Sequence, residues 1–239
     1  MMKRSVLLKL LGIFMPLLFI ACNPVSKLGN DPEVSKWQQE VDALKALPVS
    51  HDPAKLLFAG SSSIRLWDSI EKDMFPYPAI NRGYGGAKLK DFTFYANELT
   101  APHKAAAIVL FVANDITGDA NDLTPEKVLD YFKLTVKEIR KSHPSAPIAW
   151  VEVTPTPARW SVWPEISRAN DLIRSYCESR EDLFFIPTRA HFIAANGKPD
   201  PCLFLSDMLH LNRKGYKLWS EAIKQGLSSQ LPELKKIQQ

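Results

Sequence analysis

The chain has 239 residues, of which 46% are hydrophobic and 23% are charged, an ordinary composition for a globular protein. This length suits one sizeable α/β domain. The formal net charge of +4 includes Lys3, Arg4 and Lys9 of an N-terminal segment that we expect to be removed; without them the balance is 27 basic against 26 acidic residues. Since no basic stripe with interleaved aromatic residues occurs, the sequence gives no support for nucleic-acid binding.

The first 23 residues, MMKRSVLLKLLGIFMPLLFIACN, are typical of a bacterial export signal. A basic start precedes an apolar run of signal-peptide length, and the basic flank argues against a core helix. The run 10–21 is also short for a transmembrane helix. The stretch FIAC resembles a bacterial lipobox, with Phe19 where leucine is usual. The resemblance implies cleavage after Ala21 and lipid attachment at Cys22, which would hold the protein at a membrane.

These features predict four segments along the chain. Residues 1–21 are a lipoprotein-type signal peptide, and the polar residues 22–32 form a tether. Residues 33–230 form one domain, and residues 231–239 form a C-terminal tail. The expected location is the bacterial cell envelope, with the domain anchored by lipid at the periplasmic or outer-membrane face. A plain secreted protein is the less favoured alternative.

Within the domain, short apolar runs alternate with amphipathic helices. The first helix is predicted from apolar residues at helical spacing between Trp37 and Leu47, where Pro48 ends the pattern. The strands are predicted at KLLFA, PAINR, AAAIVLFVA, PIAWVEV and LFFIP. Their continuous apolar character suits strands that are buried on both faces.

Further helices separate the later strands. In TPEKVLDYFKLTVKEIRKS, Thr124 is placed as an N-cap and Pro125 at the first helical position. Two more helical faces are indicated by apolar residues at Ile166, Ile173 and Cys177, and at Tyr216, Trp219, Ile223 and Leu227. The alternation predicts a three-layer α/β/α fold with a flavodoxin-like, doubly wound parallel sheet of about five strands.

Four polar stretches follow predicted strands or precede the last helix: FAGSSSI, NRGYGGAKLKD, FVANDI and SDMLHLNRKGY. Ligand sites of open α/β sheets gather at the carboxyl ends of the strands. Each stretch also has a structural explanation when taken alone: helix capping, a glycine turn, an Asx turn and a polar loop, respectively. Their joint occurrence at one end of the sheet favours a catalytic site.

Over residues 55–227, these stretches resemble the SGNH, or GDSL-type, serine hydrolase family, and are similar to platelet-activating-factor acetylhydrolase catalytic subunits. The resemblance implies the family's nucleophile, oxyanion-hole and acid–base residues at Ser62, Gly86, Asn114, Asp207 and His210. Two positions depart from the family pattern. Ser61 replaces the aspartate of the name-giving motif, and Ala113 stands where glycine is frequent.

The chemistry accounts for these residue types. His210 would take the Ser62 proton as a general base, and Asp207 would orient the imidazole and stabilise its charged form. The N–H groups of Ser62 and Gly86 and the side-chain amide of Asn114 would form an oxyanion hole. The other histidines have no acid three residues earlier; Asp115 is the rival to Asp207 as the acid, although its position beside Asn114 favours a structural role.

The predicted function is hydrolysis of a carboxylic ester with a short acyl group, such as O-acetyl. A lysophospholipase or broad carboxylesterase acting on longer acyl chains is the enzymatic alternative, and a non-catalytic surface-binding lipoprotein is the alternative of another class. The substrate is expected to be a small-molecule, glycan or lipid ester. No cofactor is expected, and no metal, since zinc-ligand spacings are absent.

Three matters stay open at the level of sequence. In TPTPARW, Arg159 and Trp160 either contact the substrate or brace their own loop. Cys177 and Cys202 either pair in an oxidising compartment or remain separate. The oligomeric state is not determined.

Overall fold

The computed structural model describes residues 25–231 and residue 234. Five strands form one parallel sheet in the order β2-β1-β3-β4-β5. They are β1 (Leu56–Gly60), β2 (Ala79–Gly83), β3 (Ala107–Phe111), β4 (Ile148–Val151) and β5 (Leu183–Ile186). Each strand lies at one of the predicted apolar runs, so the predicted sheet is confirmed. The strand order reverses beside β1, which creates a switch point at the carboxyl ends of β1 and β3.

The α-helices cover both faces of the sheet, which confirms the predicted three-layer α/β/α fold. In chain order they are α1 (Pro32–Ser35), α2 (Gln38–Lys45), α3 (Ser62–Arg65), α4 (Ile70–Met74), α5 (Leu89–Thr100), α6 (Pro125–Arg140), α7 (Trp163–Glu178), α8 (Arg189–Phe192) and α9 (Arg213–Gln230). Helices α1, α2, α5, α6 and α7 pack on one face, and α3, α4, α8 and α9 pack on the other.

The core consists of two apolar layers separated by the sheet. Along β1, Leu57 and Ala59 belong to the layer under α5 and α6, whereas Leu56 and Phe58 belong to the layer under α9. Successive side chains of a strand point to opposite faces, so a strand buried on both faces requires an unbroken apolar run. This is the physical reason that the strands were visible in the sequence.

The ends of α6 and α9 are set by local capping. The Thr124 hydroxyl accepts a hydrogen bond from Lys127 N (3.3 Å), and Pro125 occupies the first turn, as predicted. Before α9, the Asn212 side chain accepts hydrogen bonds from the N–H groups of Lys214 (2.9 Å) and Gly215 (3.1 Å). Asn212 therefore fixes where the loop that carries His210 ends and the last helix begins.

The folded region extends beyond the predicted limits of 33 and 230. Residues Ser26–Asn30 form a 3-10 helix, Val25 is buried, and Leu28 packs against the apolar layer of α5. The described part of the predicted tether, residues 25–32, is thus packed against the domain, and Asp31 in this segment also pairs with Lys90 of α5. In the predicted C-terminal tail, Leu231 and Leu234 are buried beside α9.

The predicted signal peptide, residues 1–21, and Cys22 lie outside the described residues. Among the described helices, none combines the length and the apolar character needed to cross a membrane. Cys177 and Cys202 are separate free thiols, the first buried and the second exposed. Burial raises the pKa of the Cys177 thiol to about 12, so this side chain acts as a small apolar core residue.

Candidate active site

The serine cluster lies where β1 ends and α3 begins. Gly60 has a φ of +147°, and a Cβ atom at this position would lie 1.9 Å from the Phe111 carbonyl oxygen, so the turn requires glycine. Ser61 is the N-cap residue of α3 by position, but its side chain accepts no capping hydrogen bond. Ser62 follows in the first turn, at the carboxyl end of the sheet. Capping by the Ser61 hydroxyl therefore does not account for the cluster.

A chain of hydrogen bonds joins Ser62 to the loop before α9. His210 Nε2 lies 3.0 Å from Ser62 Oγ, and His210 Nδ1 lies 2.6 Å from Asp207 Oδ2. Asp207 Oδ1 accepts hydrogen bonds from the N–H groups of Leu209 (2.9 Å) and His210 (3.0 Å). The structure thus brings together three residues that the family resemblance identified, although Ser62 and His210 are 148 positions apart.

The Asp207 carboxylate is held in its charged form. Burial raises the pKa of Asp207, but hydrogen bonds from the His210 ring and from the N–H groups of His210 and Leu209 outweigh that effect and keep the pKa below its usual value. The side chains of Asp207 and His210 are 46% and 24% exposed, so the pair is open to solvent on one side. An ionised acceptor at Nδ1 favours the ring tautomer whose Nε2 is free to accept a proton.

Backbone hydrogen bonds hold the loop that carries Asp207 and His210 in place. Leu205 N donates to the His210 carbonyl oxygen (2.7 Å), which folds the loop back on itself. Met208 adopts a left-handed backbone with a φ of +56°, and its carbonyl oxygen accepts a hydrogen bond from Ala158 N (3.0 Å). The loop is therefore connected to the segment that follows β4.

The three predicted oxyanion donors come from three different segments. Ser62 N lies in the first turn of α3, where helical N–H groups have no partner within the helix. Asn114 lines the same cavity as Ser62, and its Nδ2 atom donates one hydrogen bond to the Ala87 carbonyl oxygen (2.9 Å). Gly86 precedes Ala87 and is exposed, but it is not among the residues that line the cavity.

Arg159 and Trp160, for which the sequence leaves two roles open, make different contacts. The Arg159 guanidinium donates to the Ala113 carbonyl oxygen and, at 2.7 Å, to Asn114 Oδ1. Arg159 also lines the cavity, whereas Trp160 does not and instead stacks on Trp163 at 6.0 Å between ring centroids. The contacts observed for both side chains are those of the bracing alternative.

Ser62, Asn114 and His210 line a small cavity of about 30 Å³. The other residues of its wall were not predicted as site residues; they come from strand ends, from the loop that carries His210 and from the last helix: Ser61, Ser63, Phe111, Ala113, Val153, Thr154, Thr156, Phe204, Leu209, Leu211 and Trp219. Position was the available signal for part of the wall, because residues 154–156 directly follow the fourth predicted strand. Seven apolar side chains beside the polar groups of Ser62 and His210 fit the acyl part of an ester.

Asp115 is excluded as the partner of His210. It is buried, and its Oδ1 atom accepts a hydrogen bond from Leu89 N (2.9 Å). Burial raises its pKa to about 7. Nearby on the α5 side, burial raises the pKa of Asp91 to about 6, although the Tyr84 hydroxyl donates to it at 2.5 Å. Across residues 25–231 and residue 234, no group of three or more His, Cys, Asp or Glu side chains is arranged to hold a metal.

Residues 59–218, which make up well over half of the chain, match the GDSL-like lipase/acylhydrolase family. The chain belongs to this family. This acylhydrolase is a carboxylic ester hydrolase, and the hydrogen-bonded Ser62, His210 and Asp207 lie within the matched region. No curated protein sequence matches the chain significantly.

Solved structures share the fold of this acylhydrolase at low sequence identity. A Streptococcus pneumonia protein described in connection with platelet activating factor has a TM-score of 0.67 at 19% identity, covering 81% of this chain and 92% of its own. A GDSL-like lipase from Bacteroides thetaiotaomicron has a TM-score of 0.63 at 19% identity, with coverages of 83% and 98%. A carbohydrate esterase family 3 protein from Talaromyces cellulolyticus has a TM-score of 0.58 at 13% identity, with coverages of 77% and 99%. These similarities establish the fold.

Proposed function

We propose that this acylhydrolase is a serine esterase that removes short acyl groups, such as O-acetyl, through an acyl-enzyme on Ser62. The observation that carries the proposal is the continuous chain from Asp207 Oδ2 through the His210 ring to Ser62 Oγ, with distances of 2.6 and 3.0 Å. A serine hydroxyl is a weak nucleophile until an adjacent base takes its proton. This arrangement supplies that base and the carboxylate that orients it.

In the first half-reaction, Ser62 Oγ attacks the ester carbonyl carbon while its proton moves to His210 Nε2. Asp207 stabilises the resulting imidazolium. The tetrahedral intermediate collapses as the bond between carbon and the alcohol oxygen breaks, and His210 gives its proton to the leaving alcohol. In the second half-reaction, water gives a proton to His210 and attacks the acyl carbon. The proton then returns to Ser62 Oγ, which releases the carboxylic acid.

The negative oxygen of each tetrahedral intermediate needs donors that are already in place. We assign this role to the N–H groups of Ser62 and Gly86 and to Asn114 Nδ2. Asn114 uses one of its two amide protons on the Ala87 carbonyl oxygen, so the second stays available. Removal of one such donor typically costs about 100- to 1000-fold in rate.

The size of the cavity supports a short acyl group. One water molecule needs roughly 10–15 Å³ of such space. The cavity of about 30 Å³ is therefore small, which favours a short acyl group over a long chain. The structural similarity to a carbohydrate esterase is consistent with an acylated sugar as substrate.

The proposal is tested by the hydrolysis of p-nitrophenyl acetate, butyrate and octanoate, together with an O-acetylated sugar and a lysophospholipid. We expect kcat/KM for acetate to exceed that for octanoate at least about tenfold, since a methylene that does not fit costs roughly 1–3 kcal/mol. Ser62→Ala should abolish hydrolysis. Ser175→Ala, on the exposed side of α7, is the matched control and should keep the wild-type rate.

The other outcomes identify the alternatives. Faster hydrolysis of octanoate or of the lysophospholipid would contradict the short-acyl specificity and favour a lysophospholipase or broad carboxylesterase. A folded wild-type protein that hydrolyses none of the esters and resists fluorophosphonate labelling would contradict the catalytic proposal and favour a surface-binding lipoprotein.

We also propose that a lipid at Cys22 anchors the enzyme in the bacterial cell envelope. The lipobox-like FIAC sequence supports this location. Val25, three positions further along, is already buried in the domain, so a lipidated Cys22 would keep the domain within roughly 11 Å of the anchored residue. Cys22→Ala should move the protein from the membrane fraction to the soluble fraction of the producing cell. Unchanged membrane retention would contradict the anchor.

A further inference from the structure

The orientation of the Asn114 side chain decides whether it helps or hinders catalysis. A side-chain amide has nearly the same shape when its oxygen and nitrogen exchange places, but only the nitrogen donates hydrogen bonds. An amide turned by 180° would present its oxygen to the developing oxyanion and repel it. The site therefore needs contacts that distinguish the two ends of this side chain.

Two hydrogen bonds make that distinction. Arg159 Nη2 donates to Asn114 Oδ1 at 2.7 Å, and Asn114 Nδ2 donates to the Ala87 carbonyl oxygen at 2.9 Å. In the turned orientation, the amide nitrogen would face the guanidinium donor and the amide oxygen would face a carbonyl oxygen, so both contacts would become repulsive. A hydrogen bond from a charged donor is roughly twice as strong as a neutral one.

Arg159 is itself held in place. Its Nη1 atom donates to the carbonyl oxygen of Ala113, the residue immediately before Asn114, so the planar guanidinium bridges two neighbouring acceptors. The adjacent Ala158 N donates to the Met208 carbonyl oxygen at 3.0 Å. One segment after β4 thereby contacts both the proposed oxyanion donor and the loop of Asp207 and His210.

From these contacts we propose that Arg159 is a positioning residue, which fixes the Asn114 amide with its nitrogen toward the oxyanion. This inference rests on the proposed function. It assigns Arg159 a role through Asn114, in place of direct recognition of an anionic substrate. Arg159 should then influence turnover strongly and ground-state binding weakly, because the oxyanion forms only along the reaction path.

A double-mutant cycle on p-nitrophenyl acetate hydrolysis tests this role. We expect Asn114→Ala to lower kcat by about 100- to 1000-fold. Arg159→Met should lower kcat at least about tenfold with KM changed less than about threefold, because the mutation removes a transition-state interaction. In the Asn114→Ala background, Arg159→Met should lower kcat by less than about a further threefold, because the amide that Arg159 orients is then absent.

Two further variants complete the cycle. Arg159→Lys keeps the charge and one donor, so it should recover part of the activity lost in Arg159→Met; the same cycle is run with it if Arg159→Met fails to fold. Arg168→Met is the matched control, because Arg168 lies on the exposed surface of α7 and pairs with Glu126. It should keep the wild-type kcat.

The inference is overturned if Arg159→Met costs the same factor with and without Asn114, or if it costs less than threefold in the wild type. It is also overturned if the main effect is a rise in KM that appears only for anionic esters. These results leave the proposed function intact as long as Ser62→Ala is inactive. Activity that survives in Ser62→Ala would instead contradict the proposed function itself.

Discussion

Two aspartates lie close to the active site in opposite environments. Asp207 is 46% exposed and accepts three hydrogen bonds, which keep its pKa below the usual value. Asp115 follows Asn114 and is buried; one of its oxygens accepts from Leu89 N, and the other has no partner among the described residues. Burial raises its pKa to about 7. Residue type alone therefore does not distinguish the aspartate that pairs with His210 from the buried one; the number of donors and the access of water do.

The two carboxyl groups also make the stability of the fold depend on pH in opposite directions. Asp207 has a lowered pKa, so it stabilises the fold above its unfolded pKa and this contribution is lost as the pH falls through its folded value. Asp115 has a raised pKa, so between about pH 4 and pH 7 the folded state holds a proton that the unfolded state has lost. Stability due to Asp115 therefore declines as the pH rises through this window.

The largest expected effect comes from Asp207→Asn. The asparagine keeps an oxygen for the backbone N–H groups, but its amide nitrogen would face His210 Nδ1 and favour the tautomer that cannot take the Ser62 proton. By analogy with serine proteases, we expect kcat for p-nitrophenyl acetate at pH 7.5 to fall by about 10⁴-fold. Asp130→Asn, on the exposed side of α6, is the control. A loss smaller than tenfold would contradict the role of Asp207.

The second prediction concerns Asp115→Asn, which mimics the protonated carboxyl group in shape and charge. We expect kcat to stay within about tenfold of the wild-type value, because Asp115 does not contact His210. The variant should have a higher Tm than the wild type at pH 8, and the difference should shrink towards pH 5, where wild-type Asp115 is protonated. Thermal unfolding between pH 5 and pH 8 measures this, and parallel curves for the two proteins would refute the buried titration.

The smallest predicted effect is that of Tyr84→Phe, which removes the donor to Asp91 Oδ1. Loss of a buried hydrogen bond to a carboxyl group costs about 1–3 kcal/mol in the free energy of unfolding. The cost should be greater at pH 8 than at pH 5, because Asp91, with a pKa of about 6, is ionised only at the higher pH. Urea denaturation at both pH values checks this. Tyr131→Phe, on the partly exposed side of α6, is the control, and an equal cost at the two pH values would count against the charged acceptor.

Much of the fold was readable from the sequence, because strands buried on both faces are continuous apolar runs. β5 and β4 lie within their predicted stretches, and β3 is shorter than predicted by two residues at each end, 105–106 and 112–113. The packed segment 25–32 was missed, because Val25 and Leu28 show no periodicity and find their partners only in the folded domain.

The same contrast holds for the site. Asp207 and His210 are three residues apart, so their pairing leaves a local pattern in the sequence. The bond between Arg159 and Asn114 joins positions 45 apart, and the bond between Leu89 and Asp115 joins positions 26 apart. Neither pair has a characteristic spacing, since each depends on how loops after different strands meet at the edge of the sheet.

The position of a covalent adduct tests most directly whether Ser62 is the nucleophile. After reaction with a fluorophosphonate, cleavage at Lys55 and Arg65 gives the peptide LLFAGSSSIR, which contains Ser61, Ser62 and Ser63. Fragmentation of this peptide by mass spectrometry distinguishes the three hydroxyl groups. We expect a single adduct on Ser62 that is absent from His210→Ala. An adduct on Ser61 or Ser63, or an unlabelled peptide from folded wild-type protein, would contradict this expectation.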